Sequence, residues 1–286
     1  MPAECHCTCT RRQRSSHMQP LLLDVRSSSA YVQSHAAGAY NIPFDELRDR
    51  GFEMPAHATP LVVECDAADV ETVREWFATR DERCRWNVVD VRAAGAEELG
   101  FVPGRFLFAG CPLLAAMAFR VRAAAAAPGS RAIDVGSGSG RDAALLCCQY
   151  GFDFVCALDR DGRALSRWTR LLDRHQVPPE SRVAVEATIR AEGDLTAALA
   201  SLPGPWDLIH VARFLKREML AELAALLAPG GLLLFHTFVE DSPSSTHAVA
   251  PGELRSAFAG LEVLHDDVAA IDDGRDLSLF AARRPA

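Results

Sequence analysis

Ala132-Ile133-Asp134-Val135-Gly136-Ser137-Gly138-Ser139-Gly140-Arg141-Asp142 reads as a short buried strand, a glycine turn and the first turn of a helix. Glycines at every second position let the backbone curl under a ligand that a Cβ would block. Asp134, two residues before the first glycine, places a carboxylate where it can take up a cation or an ammonium group. The dinucleotide fingerprint needs G-x-G-x-x-G, but the position of its third glycine is held by Arg141.

Downstream of this turn the chain has the rhythm of a doubly wound sheet. Residues 142–150 form a short helix closed by Gly151 as a left-handed cap. Residues 152–158 form a second strand, with Asp159 at its end, 19 residues beyond Gly140, where a carboxylate can accept both hydroxyls of a ribose. Leu165, Trp168, Leu171 and Leu172 recur at helical spacing. Residues 182–190 give a third strand and 206–211 a fourth. A Leu/Ala-rich helix from about residue 216 stops at Pro229-Gly230-Gly231, and residues 232–238 give a fifth strand. Residues 261–265 and 276–282 supply a closing antiparallel pair. Strands alternating with helices in this way predict an α/β fold with a mostly parallel sheet, whose ligands bind at the carboxyl ends of the strands.

With an acidic residue ahead of G-x-G-x-G, residues 103–286 resemble a class I S-adenosylmethionine (SAM) dependent methyltransferase, a Rossmann-like seven-stranded domain. Gly140-Arg141-Asp142, Trp206-Asp207-Leu208-Ile209, Arg213-Phe214-Leu215 and the run 226–232 are similar to the tellurite-resistance and thiopurine methyltransferase branch. The resemblance implies SAM as cofactor, with Gly136, Gly138 and Gly140 along its methionine and ribose and Asp134 under the loop. It implies Asp159 on the ribose hydroxyls and Asp194, with Glu192 competing, at the adenine amino group.

A second resemblance lies upstream. Asp24-Val25-Arg26 ends a strand, and Tyr31, His35, Gly38-Ala39 and Asn41-Ile42-Pro43 follow closely. In that order they resemble the opening of a rhodanese-like domain, here residues 21–102, preceded by a disordered tail, residues 1–20. The family's persulfide-forming cysteine falls on Cys65, at the end of the strand 60–65. A helix with Val70, Val73, Trp76 and Phe77 on one face comes next, then a strand over 86–91. Active relatives carry Gly and Arg after that cysteine, whereas here the run is Asp66-Ala67-Ala68-Asp69-Val70-Glu71. Negative charge disfavours a thiolate, and the following helix N-terminus only partly offsets it. The expected reading is a degenerate rhodanese fold used for packing or for a protein partner. The alternative is a bifunctional enzyme in which Cys65 carries sulfur.

Composition agrees with two soluble domains in 286 residues, 49% hydrophobic and 24% charged. No apolar run of about 18 residues occurs, so no membrane span is expected. A net charge of −8 argues against broad nucleic-acid binding. The basic residues are nearly all arginine, Lys216 being the single lysine. Nine cysteines, an odd number and partly inside core elements, point to a reducing cytoplasm rather than a disulfide framework. Cys5, His6, Cys7 and Cys9 alternate near the start but lack the paired C-x₂₋₄-C spacing of zinc sites, so no metal is expected. Met18 directly precedes the first strand and offers a second start for the chain.

The expected function is methyl transfer to a small-molecule acceptor. His236 and His210, near the ends of the fifth and fourth strands, are the candidate bases, each with a structural alternative. Arg141, Arg213 and Arg217 can hold an anionic substrate or serve as solvated surface charge. The fourth strand is not followed by Asn/Asp-Pro-Pro-aromatic, which speaks against a nucleic-acid amino acceptor. A soft thiol, selenite- or tellurite-like acceptor needs no strong base. A noncatalytic SAM-binding regulator stays open as a further alternative.

Overall fold

The computed structural model describes residues 19–81, 85–95, 103–239, 248–270 and 275–286. The alternating cysteines at 5–9 and Met18 therefore lie outside the described residues. The chain divides into two units, Met1–Phe101 and Val102–Ala286.

The first unit runs β1 (Leu21–Asp24), α1 (Ser28–Gln33), β2 (Tyr40–Asn41), β3 (Leu61–Cys65), α2 (Val70–Ala78) and β4 (Val88–Ala93). Among the described residues its four strands are all parallel, in the order β2-β1-β3-β4. The short motifs read from the sequence are knitted into one corner. The Arg26 guanidinium grips the Asp24 carboxylate through Nε and one terminal nitrogen and donates to Ser34 O at 2.7 Å. Asn41 Nδ2 donates to Asp24 O and Arg26 O, at 3.0 and 2.9 Å. Tyr31 donates to Ala39 O and stacks on His35. In α2, Val73 and Phe77 are buried, whereas Val70 and Trp76 are half-buried at its margin.

The second unit begins with α3 (Pro112–Ala116) and α4 (Ala118–Ala125), then alternates β5 (Arg131–Val135), α5 (Arg141–Leu145), β6 (Phe154–Asp159), α6 (Gly162–Arg174), β7 (Arg182–Glu186), α7 (Asp194–Ala198), β8 (Trp206–Ala212), α8 (Leu220–Leu226) and β9 (Leu227–Val239). It closes with β10 (Ala248–Val249), α9 (Glu253–Ala257), β11 (Glu262–Ala270) and β12 (Asp276–Arg283). The sheet order is β11-β12-β9-β8-β5-β6-β7, with β10 beside β9. Neighbours from β9 to β7 are parallel; β12 runs antiparallel to both β9 and β11. Strands β5, β6 and β8 are buried nearly end to end, as parallel strands covered on both faces must be. The α/β, Rossmann-like class expected from the sequence is the class observed.

Successive strands travel outward from β5 through β6 to β7, and then restart on its other side with β8 and β9. The reversal falls between β5 and β8, and the carboxyl ends of strands at such a point are the natural ligand position in a sheet of this kind. Three local differences from the sequence reading have physical causes. The third strand ends at Glu186 rather than near 190, since the Asp194 carboxylate draws the amides of Arg190 and Ala191 into a turn. The helix after residue 216 begins as a tight 3₁₀ turn, Arg217–Met219, before α8. Pro229-Gly230-Gly231 does not separate helix from strand: it is a bulge inside β9, with Gly230 at φ +77° and its amide donating to Arg284 O.

Candidate functional site: the crevice at the end of strand β5

The glycine loop leaves β5 with Gly136, Gly138 and Gly140 all in the left-handed region, at φ +75°, +54° and +72°. The amides of Gly136 and Ser137 donate to Leu158 O, tying the turn to the end of β6. The three glycines meet different demands. A Cβ on Gly136 would stand 2.6 Å from the Phe214 ring, and one on Gly140 would collide with the Trp168 side chain. At Gly138 a Cβ would meet nothing within 4 Å, so this turn faces open space. The first and third glycines serve packing, and the middle one leaves room.

Asp159 stands beside that room. Its Oδ2 accepts from the Gly138 amide at 2.7 Å and its Oδ1 from the Asp161 amide at 2.9 Å. The carboxylate is thereby oriented, with acceptor capacity remaining on both oxygens. Asp194 Oδ2 accepts the amides of Arg190 and Ala191, which hold its carboxyl below the ordinary range.

Asp134 faces inward rather than toward solvent. It is 2% exposed, and His210 Nδ1 lies 2.9 Å from its Oδ1. The register pairs Asp134 of β5 with His210 of β8 directly, which is why two residues 76 apart meet. Across the ring, His210 Nε2 is 3.3 Å from Cys111 Sγ. Cys111 caps α3: its sulfur accepts from the Leu114 amide, and its own amide donates to Asp142 Oδ1 at 2.9 Å. Burial works against charge on His210, but the contacts with Cys111 and Asp134 outweigh it and lift the imidazole well above its ordinary value. Burial pushes the Cys111 thiol up. His236 is 1% exposed on β9, and among the described residues neither ring nitrogen has a partner. Burial first, then His210 and Arg213, push its pKa down to about 3.

The arginines divide as well. Arg141 lies over the Phe108 ring at 4.7 Å, and burial lowers its pKa. Arg213 adopts φ +53°, its amide bonded to His236 O at 2.8 Å. Arg217 is committed to Glu253 at 2.6 Å. Arg141, Arg213, His210 and His236 thus all belong to the end of the sheet where β5, β8 and β9 meet the loops. Cys111 and Asp142 were not candidates from the sequence. Cys111 lies 99 residues from its histidine in a stretch with no motif, and only the folded chain brings the N-cap of α3 to the β8 histidine.

In the first unit, Cys65 is 2% exposed at the end of β3, with its sulfur 3.7 Å from Arg92 O. It lines a cavity of about 140 Å³ together with Arg26, Asp66 and Asp69. Burial pushes the thiol up, and Asp69, Asp66 and Asp24 add to it against a smaller opposing effect of Arg74.

A family model described as a rhodanese-like domain matches residues 10–74, so the N-terminal unit is rhodanese-like. An uncharacterized protein of Schizosaccharomyces pombe is 27% identical over 314 residues, spanning 92% of this chain and 93% of its own length. Among solved structures, TehB from Haemophilus influenzae aligns over 60% of this chain and 61% of TehB, at 16% identity and a TM-score of 0.44. Magnesium protoporphyrin IX methyltransferase from Synechocystis, solved with bound S-adenosylhomocysteine (SAH), aligns over 60% of this chain and 81% of its own, at 16% identity and a TM-score of 0.46. No helix among the described residues is long and apolar enough to cross a membrane.

Proposed function

We propose that the C-terminal unit is a SAM-dependent methyltransferase acting on a small-molecule acceptor, a thiol or another chalcogen nucleophile. The observation that carries this reading is the left-handed glycine turn at the sheet's reversal, with Gly138 facing open space beside an oriented Asp159. A methionine and ribose need that combination of free backbone surface and a carboxylate. Asp159 would take the ribose hydroxyls, and Asp194, at the head of α7, the adenine amino group. Bound there, SAM supplies an activated methyl group on a sulfonium. The protein's part is alignment and exclusion of water.

The choice of acceptor rests on which bases the crevice offers. His210 is fully buried and engaged on both sides, and His236 is buried and held neutral. Neither presents an exposed base for a hydroxyl or an amine. A soft acceptor that arrives partly ionised needs none, and Arg141 and Arg213 supply positive charge at that end of the sheet. The N-terminal unit accompanies this reaction without sulfur transfer of its own, because Cys65 is held as a thiol among carboxylates. Cys65, Cys111, Cys147, Cys148 and Cys156 are all unbridged, which suits a cytoplasmic setting.

Titration calorimetry with SAM and SAH tests the cofactor. Wild type should bind both, Gly138→Val neither, and Asp159→Ala more weakly. Absence of heat with wild type, or normal binding by Gly138→Val, would sink the assignment. Labelled SAM with thiols, selenite, tellurite, phenols and amines then tests the acceptor, and methylation confined to oxygen or nitrogen would refute the chalcogen reading.

A further inference from the structure

Below the glycine loop lies a cluster that methyl transfer does not require. Cys111 Sγ and one ring nitrogen each of His210 and His236 all lie within 4.8 Å of one another, and all three side chains are buried. We propose that Cys111, His210 and His236 form a three-ligand site for a thiophilic divalent cation of the Zn²⁺ class.

Three independent observations support the site. The first is distance. Bonds of about 2.3 Å to sulfur and about 2.0–2.1 Å to nitrogen place tetrahedral ligand atoms roughly 3.3–3.6 Å apart. The Cys111–His210 separation is 3.3 Å, so His236 alone has to close in, by a side-chain adjustment on the order of an ångström. The second is orientation. Asp134 engages Nδ1 of His210 and leaves Nε2 facing the sulfur, the arrangement in which a carboxylate behind a histidine fixes the ring for a metal. The third is the imidazole of His236. A core histidine ordinarily satisfies at least one nitrogen, whereas this one, 1% exposed, satisfies neither.

The same residues do not make a working nucleophilic triad, although Cys, His and Asp stand in line. Cys111 is 7% exposed, so a substrate-sized electrophile has no ready approach to its sulfur. A bare cation needs no such opening, and as it binds it displaces to solvent both the thiol proton and the proton on His210 Nε2. Asp142 strengthens the site from outside the ligand set. One oxygen anchors the Cys111 amide, and the other lies 3.7 Å from His210 Nε2.

The test uses the full chain carrying Cys5→Ser, Cys7→Ser and Cys9→Ser, so that the N-terminal cysteines contribute no thiolate. After loading with Zn²⁺ or Co²⁺ and dialysis, about one equivalent should remain, and the cobalt form should show a thiolate-to-metal charge-transfer band. Cys111→Ser should remove the band, His236→Ala should lower retention at least tenfold, and Cys147→Ser should change neither. No retained metal, or retention indifferent to Cys111 and His236, would overturn the site. Should those variants fail to fold, X-ray absorption of the zinc-loaded parent decides. One sulfur and two imidazoles support the site, and a shell of oxygen and nitrogen alone overturns it. No SAM is present in these measurements, so their failure leaves the cofactor reading untouched.

Discussion

Cys65 shows how far the identity of one residue is from its chemistry. The sequence resemblance assigns it the place of a rhodanese-like domain's sulfur carrier, at the end of β3, yet its surroundings work against the thiolate. Burial is the largest effect, and Asp69, Asp66 and Asp24 reinforce it. Arg26, which lines the same cavity, is committed to Asp24 and Ser34 O. With its pKa raised above that of a free thiol, Cys65 is overwhelmingly protonated at pH 7, and its thiolate grows about tenfold per pH unit up to that pKa. Iodoacetamide should therefore label Cys65 more slowly than a free thiol at neutral pH, with a rate that climbs as pH rises. Replacing Asp66 and Asp69 by Asn should accelerate labelling, and the wild-type protein should move no sulfur from thiosulfate to cyanide. Labelling as fast as a free thiol, or turnover abolished by Cys65→Ser, would refute this account. The glycine loop teaches the same lesson. Three identical residues read alike in sequence, but two are dictated by the Phe214 and Trp168 rings and one by empty space.

At the scale of elements, the turn between β2 and β3 carries a buried ion pair that no motif announces. Glu53 is fully buried, accepts from Arg50 Nε at 2.8 Å and from its terminal nitrogen at 2.7 Å, and takes the Tyr40 hydroxyl at 2.6 Å. Burial opposes the Arg50 charge, but Glu53 and Glu46 outweigh it and raise its pKa. Glu53→Ala leaves a buried guanidinium without its main partner and should cost about 3–5 kcal/mol. Chemical denaturation measures it, and a loss below about 1 kcal/mol would show that the pair contributes little. The strands were legible because parallel strands covered on both faces must be nearly continuous apolar runs, as in residues 132–135, 155–158 and 208–211. The glycine cap at 151 was legible because a left-handed residue there favours glycine. What escaped was whatever depends on partners distant in sequence. The third strand stops early because of the Asp194 carboxylate, and Pro229-Gly230-Gly231 bulges inside a strand because β12 and Arg284 pair alongside it. At the candidate site, the glycines, Asp159 and both histidines were singled out in the sequence by their places near strand ends. Cys111 was not, since its contact with His210 exists only once the start of α3 packs against the β8 histidine.

For the whole molecule, the decisive feature is that each unit encloses its own core. Leu23, Ile42, Leu61 and Phe77 are buried in the first, and Trp168, Trp206, Phe235 and Phe280 in the second. Units with separate cores can unfold separately, and a ligand stabilises only the unit that holds it. SAH at 100 times its dissociation constant adds about 2.7 kcal/mol to the folded state that binds it. For a unit of this size each kcal/mol moves the midpoint by about 2–4 °C, so the expected shift is roughly 5–11 °C. Calorimetry should resolve two transitions. SAH should raise the one assigned to Val102–Ala286 and leave the other in place, whereas Glu53→Ala should lower only the transition of the first unit. The two perturbations together assign each transition without cutting the chain. A single transition moved by both would mean that the units unfold as one cooperative body. SAH acting on the transition that Glu53→Ala lowers, with the other unmoved, would place the cofactor in the wrong half of the molecule and remove the basis for the methyltransferase reading.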